Sequence, residues 1–216
     1  MASRLMATGI LGVRRDVRSF IEVSSGEVRA LAERLRRRTP IETAKSVYRF
    51  NVRNVKYPLT ADGSPAVGFE VKAYPWLSIG LFKLYLATYS QPYAWLLPSQ
   101  VLKLGYGLCA DTSNLCTTLL RVLGLEAYTV LGVVEAGEGF YGHAWTVVKP
   151  GDRWLLMETT IHRGRPPLIP LEEASERLGI GYLEIARFDE ARLWVDERLM
   201  DRYRMQMARL LGKVEL

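Results

Sequence analysis

The sequence predicts an α+β fold: two capped amphipathic segments lead, a run of strand-like segments with antiparallel turn signals follows residue 125, and a helical segment closes the chain. With 216 residues and 49% hydrophobic content, the chain can bury one sizeable core and is small for two, so residues 1–216 read as one domain. Net charge is +6 and the pI is near 9.4. The arginines are scattered over helix-like stretches instead of gathered in one tract, so no nucleic-acid partner is expected.

In residues 1–23 the apolar stretch 5–13 is broken by Thr8, Gly9 and Gly12, which favours a packed or frayed arm over a signal or transit peptide. Ser24 with Glu27 forms a capping-box pattern, and Val28, Leu31, Ala32 and Leu35 follow at helical spacing, predicting a first helix over about 25–38. Thr39-Pro40-Ile41-Glu42 repeats the signal more strongly, with a good N-cap, Pro at the first helical position and Glu at the third. That second helix is expected to end near Asn51.

Residues 71–105 lack Asp and Glu and are rich in aromatic side chains. Their most apolar part, 76–89, is interrupted by Ser78, Gly80 and Lys83, short of the roughly 20 apolar residues a membrane span requires, so no transmembrane segment is predicted. The stretch reads as a buried helix pair or, alternatively, as a lid or aromatic wall over a substrate groove. A core helix is predicted over 108–123, with Leu115, Leu119, Val122 and Leu123 on one side and Gly124 ending it.

Residues 126–134 read as a strand, 135–142 as a Gly-rich connection, and 144–148 and 154–157 as two further strands. Lys149-Pro150-Gly151-Asp152 joins the last two as a type II turn. A short helix over 171–178, a strand within 182–195 and a closing helix over 196–211 complete the reading.

Cys109 opens the core helix, where unpaired N–H groups and the positive end of the dipole stabilise a thiolate. Gly105 and Gly107 allow a tight approach into it. Cys116 lies two turns further along among leucines and reads as a buried apolar residue. The two sulfurs are a rise of about 10 Å apart, beyond disulfide reach, so both are expected free, as in a cytoplasmic protein. A four-residue turn at 149–152 pairs Val148 with Arg153 and therefore His143 with Glu158. Opposed side chains are about 5 Å apart, so the carboxylate fixes one imidazole nitrogen and leaves the other for the thiol. The Cys and His spacings fit no common zinc site, and neither metal nor cofactor is expected.

Gly107-Leu108-Cys109, Leu119-Leu120-Arg121-Val122-Leu123-Gly124, His143-Ala144-Trp145 and Glu158-Thr159-Thr160, in this order, resemble the pattern of the transglutaminase-like domain. The upstream helices and Asn54-Val55-Lys56-Tyr57 look similar too, and the resemblance covers about 26–160. It implies a papain-like core, with N-terminal helices and the nucleophile helix packed on an antiparallel sheet and a C-terminal extension over 171–216. It also implies acyl transfer from an amide or ester through a Cys109, His143, Glu158 triad and a thioester. The family usually has Asp in third place, and Glu158 is one methylene longer. The aromatic insert over about 67–95 has no counterpart in the pattern.

Gln100, nine residues before Cys109, is either the second oxyanion donor or a plain surface residue at a helix start. Trp76, Trp95 and Trp145 are the candidate substrate contacts, and a protein or peptide is the expected substrate. The rival reading is a catalytically inactive module of the same fold, binding a protein or an anionic partner through the basic aromatic insert.

Overall fold

The computed structural model describes residues 4–57, 69–71, 75–79, 82–85, 89–91, 94–136, 139–160 and 167–212, with 69–91 described by its backbone. The N-terminal arm packs. Strands β1 (Met6–Thr8) and β2 (Arg14–Asp16) form an antiparallel pair, and Leu5, Ala7, Val17 and Phe20 are buried beside it.

Helix α1 (Gly26–Leu35) is capped by Ser25, whose side chain accepts the Val28 N–H, one residue beyond the predicted Ser24. It stops at Leu35, three residues early. Helix α2 (Pro40–Asn54) carries the full Thr39/Glu42 capping box and runs three residues past the predicted end. Both bury the apolar stripe read from their periodicity.

The aromatic insert is where the helical expectation fails. Its described parts are strands: β3 (Phe69–Val71) pairs with β6 (Tyr89–Gln91), and β4 (Pro75–Ile79) with β5 (Phe82–Tyr85). Pro75 and Gly80 cut the stretch into pieces too short for stable helices, and aromatic residues favour strand pairing. Helix α3 (Pro98–Leu104) then leads through Gly105, in the left-handed region at φ +72°, into α4 (Cys109–Val122).

The central sheet is antiparallel and six-stranded. It comprises β7 (Glu126–Ala136), β8 (Gly139–Lys149), β9 (Leu155–Met157), β10 (Ile169–Pro170), β11 (Gly181–Phe188) and β12 (Leu193–Val195), in the order β10-β9-β8-β7-β11-β12. The predicted 135–142 connection is mostly ladder: Ala136 pairs with Gly139 and Gly132 with His143, so His143 stands within β8 rather than at its start. A 3₁₀ turn with α5 (Ala174–Leu178), and the pieces α6 (Glu197–Arg202) and α7 (Arg204–Leu210), replace the two late helices.

Helix α4 is buried along Cys109–Leu120, polar residues included, between the sheet and α1, α2 and α3. Its polar side faces threonines: Thr129 Oγ1 donates to Thr117 Oγ1 at 2.9 Å, and Thr146 Oγ1 donates to the Ser113 carbonyl at 3.1 Å. Leu115, Leu119 and Leu120 fill the opposite side. At the far end Arg121 pairs with Glu190, fixing α4 to the loop after β11. Among the described residues no helix is long and apolar enough to cross a membrane.

Candidate active site

The mouth of α4 is held by a buried carboxylate. Asp111 accepts the N–H of Leu96 at 2.8 Å and of Leu108 at 2.9 Å, fastening the 94–97 segment and the helix cap to one group. Burial pushes its pKa up to about 7 against the lowering effect of those two N–H bonds. A Cβ on Gly107 would lie 2.8 Å from the Asp111 Cβ, so only glycine admits this turn.

The sheet brings His143 and Glu158 together by a route the turn count did not give. Strand β9 pairs Thr146 with Met157 and Val148 with Leu155, so the connection is longer than four residues and the register lies two residues from the predicted one. Extended, it would set Thr160 across from His143 and Glu158 across from Trp145. A two-residue offset keeps every side chain on its expected face. Glu158 therefore meets His143 on the diagonal, where Cβ separations are about 7–8 Å. The extra methylene of Glu spans that distance: His143 Nε2 and Glu158 Oε2 are 2.8 Å apart.

Among the described residues, four donors converge on the Glu158 carboxylate. Thr160 N–H (2.9 Å) and Thr160 Oγ1 (2.8 Å) donate to Oε1, while His143 Nε2–H (2.8 Å) and the Tyr182 hydroxyl (3.0 Å) donate to Oε2. The Trp145 ring lies beneath this group, stacked on His143 at 6.1 Å and edge-on to Tyr182 at 5.2 Å. With Nε2 committed to the carboxylate, Nδ1 is left for the sulfur, and Cys109 is near enough to the imidazole to help raise its pKa.

Cys109, His143 and Glu158 are 7%, 8% and 5% exposed. Burial disfavours the imidazolium, but the Glu158 charge and the hydrogen bonds to Cys109 and Glu158 prevail and raise His143 to about 10. Burial likewise opposes Glu158 ionisation, and the His143 charge and hydrogen bond with the Thr160 donors bring it down to about 2. A hydrogen-bond chain ties nucleophile to carboxylate from behind: Thr159 Oγ1 donates to Thr112 Oγ1 (2.9 Å), which donates to the Cys109 carbonyl (3.1 Å).

The family model described as "Transglutaminase-like superfamily" matches residues 82–159, a segment containing all three of these residues. That segment is transglutaminase-like. Two solved structures share its fold. Legionella pneumophila LapG is 13% identical over 92% of this chain and 96% of that one, with a TM-score of 0.50. The EGTA-treated form of the same protein is 12% identical over 90% and 95%, also at 0.50. No curated protein sequence matches the chain. The matched segment begins at Phe82, inside the aromatic stretch that the sequence reading left without a counterpart.

Other expected site residues of the transglutaminase-like domain have different roles. Gln100 Oε1 accepts the Leu97 N–H at 2.9 Å, capping its own helix α3. Trp95 is 0% exposed, wedged between Phe20 and Phe188, and its Nε1–H donates to the Leu210 carbonyl at 2.7 Å. It is a core residue and no substrate contact, and it adds nothing to the binding surface that the rival reading places on the insert. Trp145 is buried as the floor under His143. The Trp76 side chain lies outside the described residues. Cys116 is buried, and burial pushes its thiol well above the usual range. Among the described residues no group of three or more His, Cys, Asp or Glu is placed to hold a metal ion.

Sequence reasoning missed Tyr182, Asp111 and the Thr112–Thr159 link. Tyr182 arrives on β11, the far neighbour of β7, and nothing local marks a residue that reaches across two strands. Replacing Tyr182 with Phe removes one donor to a buried charge, roughly 1.4 kcal/mol or tenfold. We expect turnover of a reporter ester to fall about tenfold with the melting temperature nearly unchanged; an unaltered rate would show that Tyr182 only packs.

Proposed function

We propose that this chain is a thiol acyl-transfer enzyme acting on an amide or ester, hydrolytic by preference, with Cys109 as nucleophile, His143 as base and acid, and Glu158 as the group that orients His143. The observation that carries the reading is one imidazole bonded at 2.8 Å to a buried carboxylate through Nε2, with the thiol at a helix mouth close enough to act on the same ring. An imidazolium beside a sulfur at such a mouth favours the thiolate form of thiols in general.

In the proposed reaction His143 takes the proton of the Cys109 thiol, the sulfur attacks the carbonyl carbon and the π pair moves to oxygen, which the Cys109 backbone N–H receives. Collapse breaks the bond to the leaving group, which departs with the proton held by His143. His143 then takes a proton from water as its oxygen attacks the thioester, and the thiol is regenerated with release of the acid. An amine in place of water gives transfer. A protein or peptide is the proposed donor, residues 1–216 the proposed single domain, and the cytoplasm, which keeps the two thiols reduced, the proposed compartment.

Intact-mass analysis after incubation with p-nitrophenyl acetate and with peptide amides, with and without an added amine, tests this. The expected result is a decaying adduct on Cys109 that is absent from Cys109→Ala, and iodoacetamide labelling confined to Cys109. Equal, slow labelling of both thiols with no acyl adduct would overturn the proposal.

A further inference from the structure

The proposed mechanism leaves one position open: a single backbone N–H faces the developing oxyanion, and Gln100 is turned away to cap α3. The residue standing at that N–H is Tyr57. Its side chain packs against the core cluster that contains Leu108, Cys109, Leu131 and Ala144, which sets the hydroxyl by the Cys109 backbone N–H.

Its place is fixed by backbone bonds. The last turn of α2 closes with Val55 N–H to the Asn51 carbonyl at 2.8 Å. Lys56 then forms a parallel bridge with Tyr106, its N–H donating to Gly105 O at 2.9 Å and its carbonyl accepting from Gly107 N–H at 3.1 Å. This bridge aligns Tyr57 with the turn that delivers Cys109. Burial, and then the charges of Cys109, Asp111 and Glu158, raise the phenol far above its ordinary value, so it keeps its proton and remains a donor throughout the working range.

We propose that Tyr57 supplies the second oxyanion hydrogen bond of this enzyme, its O–H acting beside the Cys109 N–H on the tetrahedral intermediate; this rests on the acyl-transfer reading above. In the free protein the two groups lie beside each other. When the sulfur bonds to a carbonyl carbon and the π pair moves to oxygen, that oxygen receives the Cys109 N–H and the Tyr57 O–H together. No proton is transferred. The hydroxyl is a donor held in advance where negative charge appears, the arrangement that costs least reorganisation during reaction.

The test compares wild type and Tyr57→Phe in two reactions of one sulfur. Acylation by p-nitrophenyl acetate passes through an oxyanion, and alkylation by iodoacetamide does not. Removing one oxyanion donor typically costs about 10²–10³-fold, so acylation of the variant is expected to fall about a hundredfold while alkylation of Cys109 stays within about twofold. The alkylation rate also reports that the variant is folded around its thiol.

Acylation unchanged within about threefold would overturn the proposal. So would a parallel fall of both rates, which would place Tyr57 with the nucleophile instead of the oxyanion. A wild-type protein that alkylates at Cys109 but is never acylated would overturn the acyl-transfer reading and this inference with it. Wild-type acylation with an undiminished variant overturns the inference alone.

Discussion

Replacing Glu158 with Gln is expected to lower acyl transfer by up to about 10⁴-fold, the loss seen when the carboxylate that orients a catalytic histidine becomes an amide. The carboxylate accepts from four donors, two on each oxygen. An amide has one oxygen and one NH₂, so two of those partners would meet a donor where they now meet an acceptor, and a hydroxyl or the imidazole can answer it only by turning its own hydrogen away. His143 Nε2 would no longer be required to carry the proton. The tautomer with hydrogen on Nδ1 would then point that hydrogen at the sulfur and could not accept the thiol proton. Turnover of p-nitrophenyl acetate within tenfold of wild type would contradict this role.

The same substitution alters the dependence of stability on pH. His143 is raised from 6.5 to about 10, so its contribution is complete below pH 6.5 and drains away as pH rises through about 10. Glu158 is lowered from 4.5 to about 2, so its contribution is complete above pH 4.5 and is lost as pH falls through about 2. The pair therefore stabilises most between 4.5 and 6.5. The urea midpoint of wild type should exceed that of Glu158→Gln most near that window, with the gap narrowing toward pH 10; a constant gap would indicate that the two groups are not ion-paired.

Gly132→Ala is expected to be the most damaging single methyl in the sheet. On β7 this glycine faces His143 on β8 and Glu184 on β11, next to the bulge between Glu184 and Ala186. A Cβ there would lie 2.1 Å from the Leu183 carbonyl oxygen and 2.8 Å from Cη2 of Trp145. The first is backbone and has no rotamer to adopt, so the β7–β11 ladder must open. The second is the floor under the imidazole.

Overpacking costs about 1–3 kcal/mol, and a clash with backbone belongs at the upper end, a fall of roughly 6–12 °C in melting temperature for a chain of this size. Activity should fall further than stability explains, because Trp145 moves with His143 above it. Gly151→Ala, where nothing lies within 4 Å of the added carbon, serves as the control. A Gly132→Ala protein melting within about 2 °C of wild type would refute the argument.

What the sequence by itself determined is local. Thr39, Pro40 and Glu42 specify where α2 begins because capping is satisfied within four residues, and Leu115, Leu119 and Gly124 specify α4 because helical periodicity is a short-range signal. Cys109 at a helix start, His143 on a strand and Glu158 on the same face are legible for that reason. Parity survives a register error of two, so the pairing of His143 with Glu158 could be anticipated even though the opposed residues could not.

Tertiary structure alone decided the rest. The strands of the aromatic insert, the burial of Trp95, and the arrival of Tyr57 at the Cys109 N–H and of Tyr182 at Glu158 join residues up to 115 positions apart, as Trp95 and Leu210 are joined. Such contacts arise from packing and sheet order. Composition fixes that an aromatic ring will be buried, but which carbonyl or carboxylate meets its polar end depends on how whole elements dock.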